Sequence, residues 1–109
     1  FHEVPVLLIP LMLGRPEGVD AFGQASMWGS IIPAVWSFML AARERGLGSA
    51  WTTLHLPFEE AAAEVLGVDY EEWTQVGLFP VAHTIGTDFK KAPRLDTAGL
   101  VSFNTFGNR

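Results

Sequence analysis

Lys90, Lys91 and Arg94 form the one compact basic group in a chain whose formal charge is −5. Two ammonium groups and a guanidinium this close together suit a phosphate, which an arginine grips through parallel N–H bonds. A solvated surface patch is the other reading of the same residues, and spacing alone leaves both open. Other candidates carry less. Gly46-Leu-Gly-Ser49 lacks the third glycine of a dinucleotide fingerprint and the lysine of a phosphate loop, and it follows a helical pattern where those motifs follow a strand. On its own it caps a helix. Ser49 stands outside a Gly-x-Ser-x-Gly elbow, so nucleophilic hydrolysis has no support. His2, His55 and His83 lack metal-ligand spacing and are expected to be structural or surface residues. Glu59, Glu60 and Glu64 are expected on the solvent face of an amphipathic helix, and Glu71 and Glu72 ahead of a strand, as solvating and helix-dipole charges.

With 49% hydrophobic and 17% charged residues, the 109-residue chain has the composition of one globular domain, neither disordered nor fibrous. A chain of this size buries only about two-thirds of its unfolded surface. Four Trp and eight Phe therefore exceed what its own core hides, and part of that surface is expected to meet a partner subunit, further chain or a cofactor. The acidic balance argues against nucleic acid as a partner. The absence of cysteine excludes disulfides, thiolate nucleophiles and Cys-based zinc sites, and fits a reducing cytoplasm. The chain begins with Phe1, which raises the expectation of a preceding N-terminal portion. Residues 3–13 lack the basic flank and cleavage site of a signal segment.

Residues 4–13, apolar nearly throughout, are expected as a strand buried on both faces, with Pro5 and Pro10 placing one end at an edge. Gly14-Arg-Pro-Glu-Gly18 is a turn. Residues 20–45 read as a long helix: Asp20 caps its start, Arg43 and Arg45 complement its negative end, and Gly46 takes the left-handed position beyond. Apolar residues surround this helix between Met27 and Ala42, so it is expected to be enclosed, with Pro33 kinking it or marking the start of its straight part. Its apolar run of 16 residues falls short of the roughly 20 that span a bilayer. After an extended or loop stretch at 52–56, a second helix covers 57–66, opened by Pro57 and closed by Gly67. Residues 73–85 read as one strand, Pro80 marking an edge or a strand end. An arm at 88–94 and an aromatic tail at 101–107 come after it.

Several of these pieces, taken in order, resemble the C-terminal half of the nitroreductase family of FMN-dependent, NAD(P)H-oxidising flavoproteins. They are Ala34-Val-Trp-Ser-Phe-Met-Leu-Ala-Ala-Arg43, Gly46-Leu-Gly-Ser-Ala-Trp51, Thr52-Thr-Leu-His55, Val76-Gly-Leu-Phe-Pro-Val81, the arm Thr87-Asp-Phe-Lys-Lys-Ala-Pro-Arg94 and the tail Val101-Ser-Phe-Asn-Thr-Phe-Gly107. Where the family often has Gln-Asn, this chain has Trp36-Ser37. The resemblance implies an α+β fold, a nitroreductase-like α-β sandwich with mostly antiparallel sheet flanked by helices. It implies one partial domain over 1–109, whose arm, from about residue 87 onward, reaches over a second subunit.

The same resemblance implies FMN held at a homodimer interface. Trp51, Thr52 and Thr53 would lie along the isoalloxazine ring, small side chains letting backbone N–H groups approach its N5–O4 edge. Arg94 would contact the phosphate, assisted by Lys90 or Lys91. No side chain is implied as a catalytic acid or base. NAD(P)H would give hydride to the flavin, and a nitroaromatic, quinone or similar small molecule would take it, in ping-pong order. The family's Arg-rich first segment has no counterpart in this sequence. Non-catalytic flavin binding, and an inactive half acting only as an interaction partner, are the alternatives.

Overall fold

The computed structural model describes residues 2–108. Phe1 and Arg109, the ends of the expected unit, lie outside the described residues. In chain order the elements are β1 (Val6–Leu8), β2 (Leu11–Leu13), α1 (Ala21–Glu44), β3 (Leu47–Ser49), a 3-10 turn (Leu56–Phe58), α2 (Glu59–Leu66), β4 (Trp73–Gln75), β5 (Phe79–His83) and a second 3-10 turn (Thr97–Gly99). All pairing is antiparallel: a three-stranded sheet in the order β1-β5-β3 and a two-stranded sheet β2-β4. The α+β expectation is met.

The two expected long strands are each broken in two, at facing positions. Leu8 pairs with Phe79 and Leu11 with Gln75, so Ile9 and Pro10 on one strand oppose Val76, Gly77 and Leu78 on the other. Two residues against three is a β-bulge, which bends the ribbon and re-aims the strand beyond it. The Val76 N–H still reaches the Pro10 carbonyl at 3.0 Å. Contrary to expectation, the first strand is not buried on both faces, because β1 is an edge with no helix laid over its outer side; Val6, Leu7 and Leu13 remain exposed. Pro80 also departs from expectation, lying in the central strand β5. The core is small: Met12, Val35, Ala42, Ala63, Val76, Phe79 and Val81, with Phe79 fully enclosed.

α1 begins as expected, the Asp20 carboxylate accepting the Gly23 N–H at 2.8 Å. It runs through Pro33 without a break and ends where Gly46, at φ +76°, takes the left-handed turn into β3. It is not enclosed. Only Val35 and Ala42 are buried, because β3 is the main element packed against it, and Phe22, Ile32, Trp36, Phe38 and Leu40 stay exposed. At 24 residues, with a mean hydropathy of 1.4 over its most apolar window, α1 is long and apolar enough to cross a bilayer by length and composition, more than the sequence run suggested. The radius of gyration, 17.7 Å, exceeds the roughly 13 Å of a compact domain of this length. The described residues leave much of their apolar surface exposed.

Gly77 is the tightest point of the bulge. A Cβ there would sit 2.6 Å from the Trp51 indole nitrogen and 3.0 Å from the Thr52 carbonyl. Gly77→Ala should therefore lower unfolding stability by about 1–3 kcal/mol through overpacking, measured by urea denaturation. Wild-type stability would mean that Trp51 yields freely and does not hold the bulge.

Candidate functional site

The stretch after the α1 terminus is an edge strand, more than the helix cap its glycines alone suggested. β3 pairs with β5 so that Leu47 faces His83 and Ser49 faces Val81, and an isolated bridge joins Thr52 to Leu78. These pairs share one register, so residues 47–52 run continuously along 78–83. The gap falls opposite Pro80, which has no N–H to give Ala50. At Gly48 a Cβ would overlap the Thr84 methyl group, so a larger residue there would force the Thr84 side chain to turn.

Antiparallel pairing alternates the direction of successive N–H groups. Thr52 gives its N–H to the Leu78 carbonyl at 3.1 Å and receives the Leu78 N–H at 2.8 Å, and its hydroxyl adds a 2.7 Å bond to the same carbonyl. Thr53 is next in line and its N–H points the other way, without a hydrogen-bond partner among the described residues. Trp51 is engaged from its side chain: its indole N–H reaches the Val76 carbonyl at 3.3 Å and its ring lies 5.0 Å from Phe79. Of the three expected flavin-edge residues, Thr52 and Trp51 are anchors and Thr53 presents the free donor.

A part-buried polar chain, unforeseen from sequence, leads away from this segment through Gln75. His55 Nε2 meets Gln75 Oε1 at 3.1 Å. The Gln75 amide NH2 donates to the Glu59 carbonyl at 2.9 Å, and the Gln75 backbone N–H donates to the Glu59 carboxylate at 2.6 Å. That carboxylate binds Arg15 in a two-pronged pair at 3.0 and 3.1 Å. Arg15 also donates to Glu17, to the Tyr70 hydroxyl and to the Trp73 carbonyl, and stacks 4.1 Å over the Tyr70 ring. Glu59 is thus not the solvent-facing charge expected: its side chain is 13% exposed and that of Arg15 15%. Partial burial opposes the charged guanidinium, but hydrogen bonds to Glu59 and Glu17 outweigh it and raise the Arg15 pKa. Glu17 is held below the usual carboxylate range by its own backbone N–H and then by Arg15. The readable signal was His55 four residues before Glu59, at the mouth of a helix.

On the other side of β3 lies an apolar cleft of about 490 Å³. Its floor is side-chain-poor (Gly48, Ala50, Ala82), and Trp36, Met39 and Phe89 form walls. Two hydroxyls lining it, Ser49 and Thr84, are buried without a hydrogen-bond partner. Arg43 stands at the rim, 4.6 Å over the Phe89 ring. The arm therefore crosses the cleft at Phe89, immediately before Lys90. Lys90, Lys91 and Arg94 themselves are exposed and outside the lining; Arg94 reaches only the adjoining Pro93 carbonyl, at 3.3 Å. The structure brings 48–50 to the arm but does not bring Thr53 and Arg94 into contact. Among the described residues no cluster of three or more His, Asp or Glu is placed to hold a metal ion.

The family model described as Nitroreductase family matches residues 1–83, which covers α1, both sheets and the whole edge segment. No curated protein matches the chain.

The Arg15–Glu59 pair generates a stability prediction. Arg15→Met leaves a largely buried carboxylate unpaired and should cost about 3 kcal/mol, whereas the double variant Arg15→Met/Glu59→Gln should recover part of that loss. Urea unfolding at neutral pH reads both. Equal losses in the single and double variants would show that the pair contributes by packing alone.

Proposed function

The chain belongs to the nitroreductase family of oxidoreductases, whose members generally use flavin, and from that premise we propose that it forms part of an FMN-dependent NAD(P)H oxidoreductase. The observation that carries this reading is the unpaired Thr53 N–H, set on an edge strand that Thr52 pins to Leu78. A fixed backbone donor of this kind suits a polar ring edge, because it needs no side-chain rearrangement to meet it.

The residues present fit the group in three respects. Ser49 and Thr84 carry buried hydroxyls with no partner, which a ring edge with polar atoms would satisfy. The glycine and alanine floor of the adjoining cleft admits a flat aromatic body. Lys90 and Arg94, with Lys91 beside them, have no carboxylate partners among the described residues and are free for a phosphate. The chemistry FMN supplies when bound is two-electron transfer: hydride from NAD(P)H to N5, then reduction of a nitroaromatic, quinone or similar acceptor in a ping-pong cycle. This chain's contribution is to orient the ring edge through Thr53, to seat the ring on small residues, and to hold the phosphate. No residue is asked to act as acid or base.

The apolar α1 face and the extended outline favour a homodimer. Phe22, Ile32, Trp36 and Leu40 share one side of α1 and form an apolar surface that a second copy would cover. We read this as subunit contact and not membrane insertion, since Gln24, Ser26, Ser30 and Ser37 interrupt the helix at intervals. The cysteine-free sequence is in keeping with a cytoplasmic setting.

Protein carrying this chain should be yellow when purified with FMN, and Arg94→Ala should weaken FMN binding by about tenfold, the loss of one charge-assisted phosphate contact. Titration followed by flavin fluorescence decides it; no flavin absorbance after reconstitution sinks the reading. NAD(P)H oxidation with a quinone acceptor separates catalysis from simple flavin storage. Sedimentation velocity should give twice the monomer mass, and Phe22→Glu should dissociate it. A wild-type monomer would remove the dimer from the proposal.

A further inference from the structure

After β5 the chain leaves the body of the molecule and touches it again at the cleft. It turns at Gly86, whose φ of +81° is a value that residues with a side chain rarely adopt. Every residue from Ile85 to Val101 is exposed. Most hydrogen bonds along this stretch are local: the Phe89 N–H donates to the Thr87 carbonyl, Arg94 to the Pro93 carbonyl and the Ala98 N–H to the Asp96 carboxylate. Among the described residues one hydrogen bond ties the stretch to the rest of the chain, from Arg43 Nη2 to the Thr87 carbonyl at 3.5 Å. The same guanidinium lies 4.6 Å from the centre of the Phe89 ring. Phe89 is the arm residue that lines the cleft.

Arg43 is suited to both contacts at once. A guanidinium is planar, so it can lay a face on an aromatic ring while an N–H at its edge meets a carbonyl. The sequence gives Arg43 only the task of complementing the negative end of α1. No carboxylate is paired with it among the described residues, so its charge is open to the ring. The bond to Thr87 is long, which makes the ring contact the larger contribution. Neither contact is strong. A cation over an exposed ring shifts an equilibrium by about two- to fivefold. That suffices to bias a segment with no other polar tie, and it is too little to lock one.

We propose that Arg43 is a latch: by holding the Phe89 ring and the Thr87 carbonyl of its own chain, it keeps the arm across the cleft. Phe89 is then a wall that closes or clears the cleft mouth as the arm moves. The basic group moves with it. Lys90 adjoins the latched residue, and Arg94, five residues on, stays within about 18 Å of it. The proposal goes beyond the flavin reading, because it concerns the unliganded chain and needs no cofactor. It assigns residues 87–89 to their own chain and leaves the arm beyond them free to reach a second subunit.

The cysteine-free chain lets two spin labels be placed without background. Nitroxides at Ala92→Cys on the arm and Glu64→Cys on α2, both exposed positions, report where the arm stands in the whole protein by pulsed dipolar distance measurement. In the wild-type background one narrow distance should dominate, and it should survive dilution with excess unlabelled protein. Arg43→Gln should raise the ratio of broad, unlatched distances to the narrow one about two- to fivefold, and Arg43→Lys, which keeps the charge, should restore part of the narrow population. Phe89→Leu keeps apolar bulk without the ring and should match Arg43→Gln; the double variant should be no worse than either single one. If Arg43→Gln does not fold, Phe89→Leu reads the same contact from the other side. An unchanged distribution in Arg43→Gln overturns the proposal, since the arm would then be held without the latch. Additive losses in the double variant, a broad wild-type distribution, or a narrow distance that vanishes on dilution each overturn it as well.

Discussion

The Glu59 carboxylate is the junction on which the ordered part of this molecule depends. It sits at the first position of α2, yet it accepts from the Arg15 guanidinium in the turn after β2 and from the Gln75 backbone N–H in β4. Three segments far apart in sequence are thereby tied at one group with little access to water. A carboxylate in such a place is costly unless its lone pairs are met. Here Arg15 supplies two donors and the strand a third, so the desolvation is offset by bonds that also specify position. The same Gln75 carries the tie onward to His55. One ion pair thus sets the separation between the two-stranded sheet, the short helix and the edge segment beside it.

A second constraint works on the sheet. The bulge at Val76–Leu78 turns β5 away from β4 and places Leu78 where its N–H and carbonyl face Thr52. Pro80 then denies Ala50 a partner, loosening the edge strand between its two paired regions. Trp51 fills this weak point, bonded to the bulge through Val76 and packed on Phe79. The edge is therefore held at its ends and wedged in its middle. That arrangement leaves the backbone donors on its outer side free without leaving the strand itself loose.

Local signals in the sequence carried the elements whose causes are local. Asp20 as a cap, Gly46 and Gly67 as left-handed terminators and the helices between them all arise from the physics of a few neighbouring residues. What the sequence hid was non-local. Residues 4–13 and 73–85 each read as one strand because a bulge has no signature in a single strand: it exists only in the unequal count across a pair. Glu59 read as a solvated helix charge because its partners lie 44 residues before it and 16 after it. The resemblance singled out the segment at 51–53, but pairing alternation, invisible until Leu78 was known to face Thr52, decides which of its N–H groups is free. The basic group at 90–94 was legible as charge, and its position beside the cleft was not.

The burial of α1 is where sequence and structure disagree most, and the disagreement has physical content. An apolar pattern all around a helix requires surfaces on every side. The described residues provide one such surface, β3, and the helix meets it with Val35 and Ala42. Phe22, Ile32, Trp36, Phe38 and Leu40 stay exposed, with no packing surface over them among the described residues. Removing them from water would be worth about 25 cal/mol per Å², a driving force that acts only when another surface arrives. The cleft is subject to the same logic, since Trp36 belongs both to its wall and to the exposed helix face. Covering α1 and completing the cleft are therefore not independent events: whatever packs against Trp36 also shapes the space above Gly48 and Ala82.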